Sequence, residues 1–151
     1  MCIHKQLFRK LIILVFLMTP LVSHALDVTV DGFKKQGIKP LSTEAIKQLI
    51  VDKVIIVRNL ETLGHYEVRF NKDGTRVLQG VAATKVGGGI EYRPFTADPK
   101  AHTAKYEVKD GKLLTIFDDA VFEVRIYQLG TTYYAAHSAD KGVVKWELIR
   151  H

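Results

Sequence analysis

His65-Tyr66-Glu67-Val68-Arg69-Phe70-Asn71-Lys72-Asp73-Gly74-Thr75 decides the fold. Tyr66, Val68 and Phe70 alternate with His65, Glu67, Arg69 and Asn71. Only an extended chain, whose successive side chains point to opposite faces, turns that pattern into one dry face and one wet face. Asn-Lys-Asp-Gly then ends the run with residues that tolerate tight turns, glycine among them for its access to positive φ.

Outward from this stretch the same grammar repeats. Tyr106 and Val108 alternate with Lys105, Glu107 and Lys109; Phe122, Val124 and Ile126 with Glu123 and Arg125; Val144, Trp146 and Leu148 with Lys145 and Glu147. Lys109-Asp110-Gly111-Lys112, Leu129-Gly130 and Ala139-Asp140-Lys141-Gly142 are further turn signals. Leu113 to Phe117 and Tyr133 to Ala136 alternate less strictly, as strands covered on both sides do. One wet and one dry face describes antiparallel strands, and the mixed charges of the wet face suit cross-strand pairing. The expected fold is mainly β: an antiparallel meander of about seven to eight strands forming a small barrel or a two-layer sandwich, with one N-terminal helix.

That helix is expected over 43–53. Ser42 is its N-cap, Glu44 lies in the first turn where the helix dipole favours negative charge, and Leu41 is placed to staple onto Ile46. Ile46, Leu49 and Ile50 form one apolar stripe. Residues 26–40 read as a leader segment, with Val28 and Val30 in a short edge strand and Pro40 closing it; residues 41–151 form a single domain. Residues 84–102, with Gly87-Gly88-Gly89, Tyr92, Arg93, Pro94, Phe95, Pro99 and His102, are expected to be a long connection. Hairpin loops usually take about two to five residues, so a longer one is where function is sought.

Residues 1–25 carry the three zones of a signal peptide. Lys5, Arg9 and Lys10 make a basic start, Leu11 to Met18 is an unbroken apolar run, and Ser23-His24-Ala25 supplies small residues ahead of a cleavage expected between Ala25 and Leu26. A spanning helix needs about 20 apolar residues, and Pro20 interrupts this run too early, so no stable membrane insertion is expected after cleavage. The chain is therefore expected to be periplasmic or secreted. Of its 151 residues, 151 minus 25, or 126, then remain, and they lose three of the 22 basic residues and none of the 16 acidic ones, leaving 19 minus 16, or +3. That is ordinary solubility and not the clustered positive face nucleic acid requires. Cys2 is the sole cysteine, so the mature chain forms no disulfide and offers no thiol chemistry, and its core alone holds it.

Three elements resemble a group of small exported, lipocalin-like (calycin-type) β domains of unknown function: the opening helix Leu41 to Ile50, the strand and turn Tyr66 to Thr75, and the later strand, turn glycine and leucine of Ala104 to Leu113. The likeness runs from about Leu41 to Ile149. It implies a lipocalin-like barrel and assigns no catalytic residues. Many members carry two cysteines in the second half, and this chain has none there.

Candidate chemistry weighs little against ordinary structure. The triple glycine lacks the Gly-Lys-Ser/Thr of a phosphate loop. His65, His102, His137 and His151 have no ligand spacing, so no metal or cofactor is expected. Asp118-Asp119 reads as a turn, and neither Ser42 nor Ser138 sits in a nucleophile elbow. No catalytic residue is assigned. What remains is the aromatic inner stripe beside the glycine-rich segment. It supports a non-enzymatic exported module binding a small apolar or amphiphilic ligand, with Tyr92, Arg93, Phe95 and His102 as rim and Tyr66, Phe70, Phe122 and Trp146 as floor. The alternative is a module that binds a protein of the cell envelope through Gly87 to Phe95, such as an inhibitor of a cell-wall enzyme or an assembly factor; a hydrolase of unknown type ranks third.

Overall fold

The computed structural model of the chain describes residues 28–94, 101–137 and 144–150. The expected signal peptide, Phe95 and the turn expected at Ala139 to Gly142 lie outside these residues. Two helices, α1 (Val30–Lys35) and α2 (Thr43–Ile50), precede nine strands: β1 (Lys53–Asn59), β2 (His65–Phe70), β3 (Thr75–Val86), β4 (Gly89–Pro94), β5 (His102–Lys109), β6 (Lys112–Ile116), β7 (Val121–Leu129), β8 (Thr132–His137) and β9 (Val144–Arg150).

All strand pairs are antiparallel, and the neighbours run β2-β1-β9-β8-β7-β6-β5-β3, with β2 and β3 also paired. That last pairing closes an eight-stranded barrel. β4 is the extra strand. It pairs with β3 at Val81 to Val86, beyond the reach of β5, which pairs at Thr75 to Leu78.

Register fixes what points inward, because cross-strand partners share a face. Val57 faces Tyr66; Val68 faces Leu78; Phe70 faces Arg76, which faces Ala104; Tyr106 faces Thr115, which faces Phe122; Ile126 faces Ala135, which faces Trp146; Leu148 returns to Val57. The outward face carries the charges, and Arg58 pairs with Glu147 and Lys112 with Glu123 across neighbouring strands.

α2 covers one end of the barrel. The Ser42 hydroxyl accepts the Ala45 N–H at 3.2 Å, and Ile46, Leu49 and Ile50 are buried in the barrel core. The helix stops at Ile50, short of the expected Lys53, because Val51 leaves helical backbone angles and Asp52 takes the left-handed region at φ 59. Two contacts hold the entry to this helix. Leu41 N–H donates to the Ile126 carbonyl at 2.7 Å, and Gly111 N–H donates to Thr43 Oγ1 at 2.8 Å. Gly111 sits in the two-residue turn between β5 and β6 at φ 68, and a Cβ there would stand 3.3 Å from the Leu41 carbonyl oxygen, so only glycine closes this hairpin against the helix entry.

Three sequence expectations are corrected. Val30 begins a helix, not an edge strand. Thr29 caps it, its hydroxyl accepting the Gly32 N–H at 2.9 Å, and Phe33 is wholly buried on the barrel's outer surface against Tyr127 and Tyr134, at ring-centroid distances of 5.0 and 5.8 Å. Residues 84–94 are not a loop, for Val81 to Val86 and Gly89 to Pro94 pair as a hairpin. Val144 does not join Trp146 and Leu148 inside. A register shift at Ala135/Ala136 sets Val144 opposite Ala136, in the outer cluster with Phe33.

Candidate functional site

The barrel is hollow. A cavity of about 250 Å³ begins at Ile50 of α2 and runs between the inward side chains of β1 to β3 and β6 to β9. Ile55, Val68, Phe70, Leu113, Ile126 and Leu148 are among its apolar walls, all nearly inaccessible to solvent. Phe117 and Phe122 stand at its opening. Their rings meet edge to face at 5.6 Å, and they remain 38 % and 46 % exposed. Two large apolar rings left in solvent at a cavity mouth are not what folding alone selects.

Among the described residues, Arg76, Thr115 and His137 bring polar side chains into the lining. Thr115 is buried, and His137 lies 5.9 Å from the Phe122 ring. Arg76 comes inside through the hairpin between β2 and β3. Asn71 N–H donates to the Thr75 carbonyl at 2.8 Å, and the five residues 71–75 bring Arg76 opposite Phe70, whose side chain is already committed inward. Its Nε is buried and has no hydrogen-bond partner among the described residues, and burial pushes the guanidinium below its ordinary value.

The residues singled out in the sequence divide. Phe70, Phe122 and Trp146 line the cavity, with Phe122 at the mouth and not the floor. Tyr66 packs edge-on against Trp146 at 5.6 Å, at the margin of the same core. Tyr92 is paired opposite Ala83, on the outer face, and its ring lies 5.6 Å from His65. Arg93 is exposed and pairs with Glu91 at 2.8 Å. His102 opens β5 and is exposed. Phe95 lies outside the described residues. Of the expected rim, Tyr92 and Arg93 stand away from the cavity and His102 stands opposite Leu78 of its lining, while Phe117 and Phe122, with His137 beside them, are exposed lining that the expectation did not place there. Asp118 and Asp119 occupy an exposed bend between β6 and β7, as their turn reading expected, and the Phe117 N–H donates to the Ala120 carbonyl across it.

These features define a closed antiparallel barrel with a charged exterior and an apolar chamber that reaches solvent beside the aromatic side chains of Phe117 and Phe122. Comparison of the chain with protein-family models, curated proteins and solved structures returned no match.

Proposed function

We propose that the protein is an exported, non-enzymatic binding module of the lipocalin-like (calycin-type) kind, which holds a small apolar or amphiphilic molecule inside the barrel. The cavity of about 250 Å³ with apolar walls carries this reading. Ligand sites are concave, mostly apolar and largely pre-formed, with a few polar groups that orient the ligand. The signal-like residues 1–25 support export, and a mature chain beginning at Leu26 in the secreted or periplasmic fraction is the expected mass-spectrometric result.

Trp146 is the sole tryptophan and lines the cavity, so its emission reports occupancy directly. Native mass spectrometry of protein purified from its own compartment should show a small co-purifying molecule, and its removal should shift Trp146 emission. A ligand-free mass, with emission indifferent to every small apolar probe, overturns the reading.

A second reading rests on a separate observation. The β3–β4 hairpin carries Val86 and Ile90 beside its turn, 54 % and 61 % exposed, an apolar tip of the kind that docks on an envelope protein. Pull-down from envelope extracts with Val86→Ser/Ile90→Ser as control tests it; a partner list unaffected by the double substitution removes it.

A further inference from the structure

Among the described residues, Arg76 has no counter-charge inside the barrel. Its cross-strand partners are Phe70 and Ala104, both buried, and no ion pair or hydrogen bond reaches its guanidinium among the described residues. The carboxylates that form ion pairs among the described residues use other cations: Glu147 takes Arg58, Glu123 takes Lys112, Asp52 takes Lys72, Glu91 takes Arg93, Glu67 takes Arg69, Glu44 takes Lys47 and Asp31 takes Lys34. A guanidinium does not shed its charge at any pH a protein survives. Arg76 is half-buried, with its Nε sealed from solvent; a permanent cation so placed in apolar walls without a partner is unfavourable to the empty protein, and a methionine or leucine would fill the same space without that cost.

Resting on the binding reading above, we propose that the ligand is an amphiphile with a single carboxylate head, which pairs with Arg76 while its apolar body lies against Leu78, Phe122 and Trp146. The planar fork of arginine matches the two oxygens of a carboxylate in a bidentate pair. One cation calls for one negative charge, since a dianionic phosphate monoester would bring a second charge into walls that hold, among the described residues, no other lysine or arginine. Size narrows the class further. A cavity of about 150 Å³ accepts benzene, so about 250 Å³ suits a molecule of roughly ten non-hydrogen atoms: a medium-chain fatty acid or a compact aryl-alkanoic acid.

The test uses the mature protein at pH 7.5, with octanoate, 1-octanol, octylamine and octyl phosphate as probes, followed by calorimetry and Trp146 emission. Wild type should bind octanoate about tenfold to a hundredfold more tightly than octanol, the range of a hydrogen-bonded charge pair, and should reject octylamine. Arg76→Met should lose that preference and keep octanol. Arg76→Lys should retain part of the preference. Circular dichroism of Arg76→Met, expected to match wild type, shows that the loss is not unfolding.

Octanol and octanoate binding equally to wild type would overturn the carboxylate proposal and leave the binding module standing. A preference unchanged in Arg76→Met, or octyl phosphate binding more tightly than octanoate, would overturn it as well. Failure of every probe to bind would overturn both readings together.

Discussion

Arg76 shows what a single side chain reveals about an empty chamber. Its buried Nε lacks a partner, and an unpaired buried donor costs about 1–3 kcal/mol. Arg76→Met should therefore stabilise ligand-free protein by about 1 kcal/mol, seen as a higher urea midpoint with unchanged slope; a lower midpoint would mean the guanidinium has a stabilising partner. The sequence conceals this residue. In Thr75-Arg76-Val77-Leu78-Gln79 the outward positions Val77 and Gln79 look no wetter than the inward ones, so polarity gives the faces no sign. Only the pairing of Phe70 with Arg76 across the turn does, and that follows from turn geometry which the sequence leaves open. A second prediction concerns tyrosine. Tyr106 donates its hydroxyl to the Asn71 carbonyl at 2.8 Å, and burial, followed by Asp73 and Asp52, raises its pKa above 10.0; burial, followed by Glu147, does the same for Tyr134. A raised phenol pKa means that the folded state holds its proton longer than the unfolded state. The stability is thus whole below pH 10 and is lost as pH climbs through the folded values. Urea midpoints should fall as the pH rises above about 10, and fall less in Tyr106→Phe; equal falls would remove Tyr106 from the account.

Elements were legible where one face meets water and the other does not. β2, β5, β7 and the Trp146–Leu148 part of β9 alternate cleanly, and α2 announces itself by cap and stripe. β1 does not, because Val54-Ile55-Ile56-Val57 is an apolar run without a period, and Ile55, Ile56 and Val57 are all buried although they point to alternate faces. The end of β3 and all of β4 hid in a glycine-rich segment whose Gly87 and Gly88 make a hairpin turn. α1 hid because a helix of six residues is too short to show periodicity, and its one informative side chain is Phe33. Phe33 is 0 % exposed and joins Tyr127, Ala136 and Val144 in a core outside the barrel wall. Phe33→Ala should cost about 3–5 kcal/mol, the range for a buried phenylalanine, measured by urea denaturation. It should also make residues 28–37 sensitive to protease while barrel amides stay protected from exchange. A loss below about 1 kcal/mol would show that α1 is an ornament and not part of the fold.

At the scale of the whole molecule, alternation specifies a closed wall but leaves its filling undetermined. Eight strands can close over packed side chains or over a small ligand, and the choice depends on how the inward side chains sum around the ring, which no single strand records. Here small residues decide it. Ala104 and Ala135 face inward beside larger neighbours, and Ala135 stands between Ile126 and Trp146 in register. The charged exterior and apolar interior are the reverse of a membrane barrel, whose apolar band faces outward, so the dry interior of this barrel is available only to something that enters. Ala135→Leu tests the hollow directly. In a filled core the added methyl groups force side chains off their rotamers at about 1–3 kcal/mol. In a chamber of about 250 Å³ they find room, so the loss of stability should stay below about 1 kcal/mol while binding of octanoate and octanol falls together, since space and not charge has been removed. Arg76→Met should do the opposite, sparing octanol and losing octanoate. Two substitutions, one taking volume and one taking charge, thus separate the chamber from its counter-charge, and a costly Ala135→Leu that leaves binding intact would mean the barrel is solid and its ligand lies elsewhere.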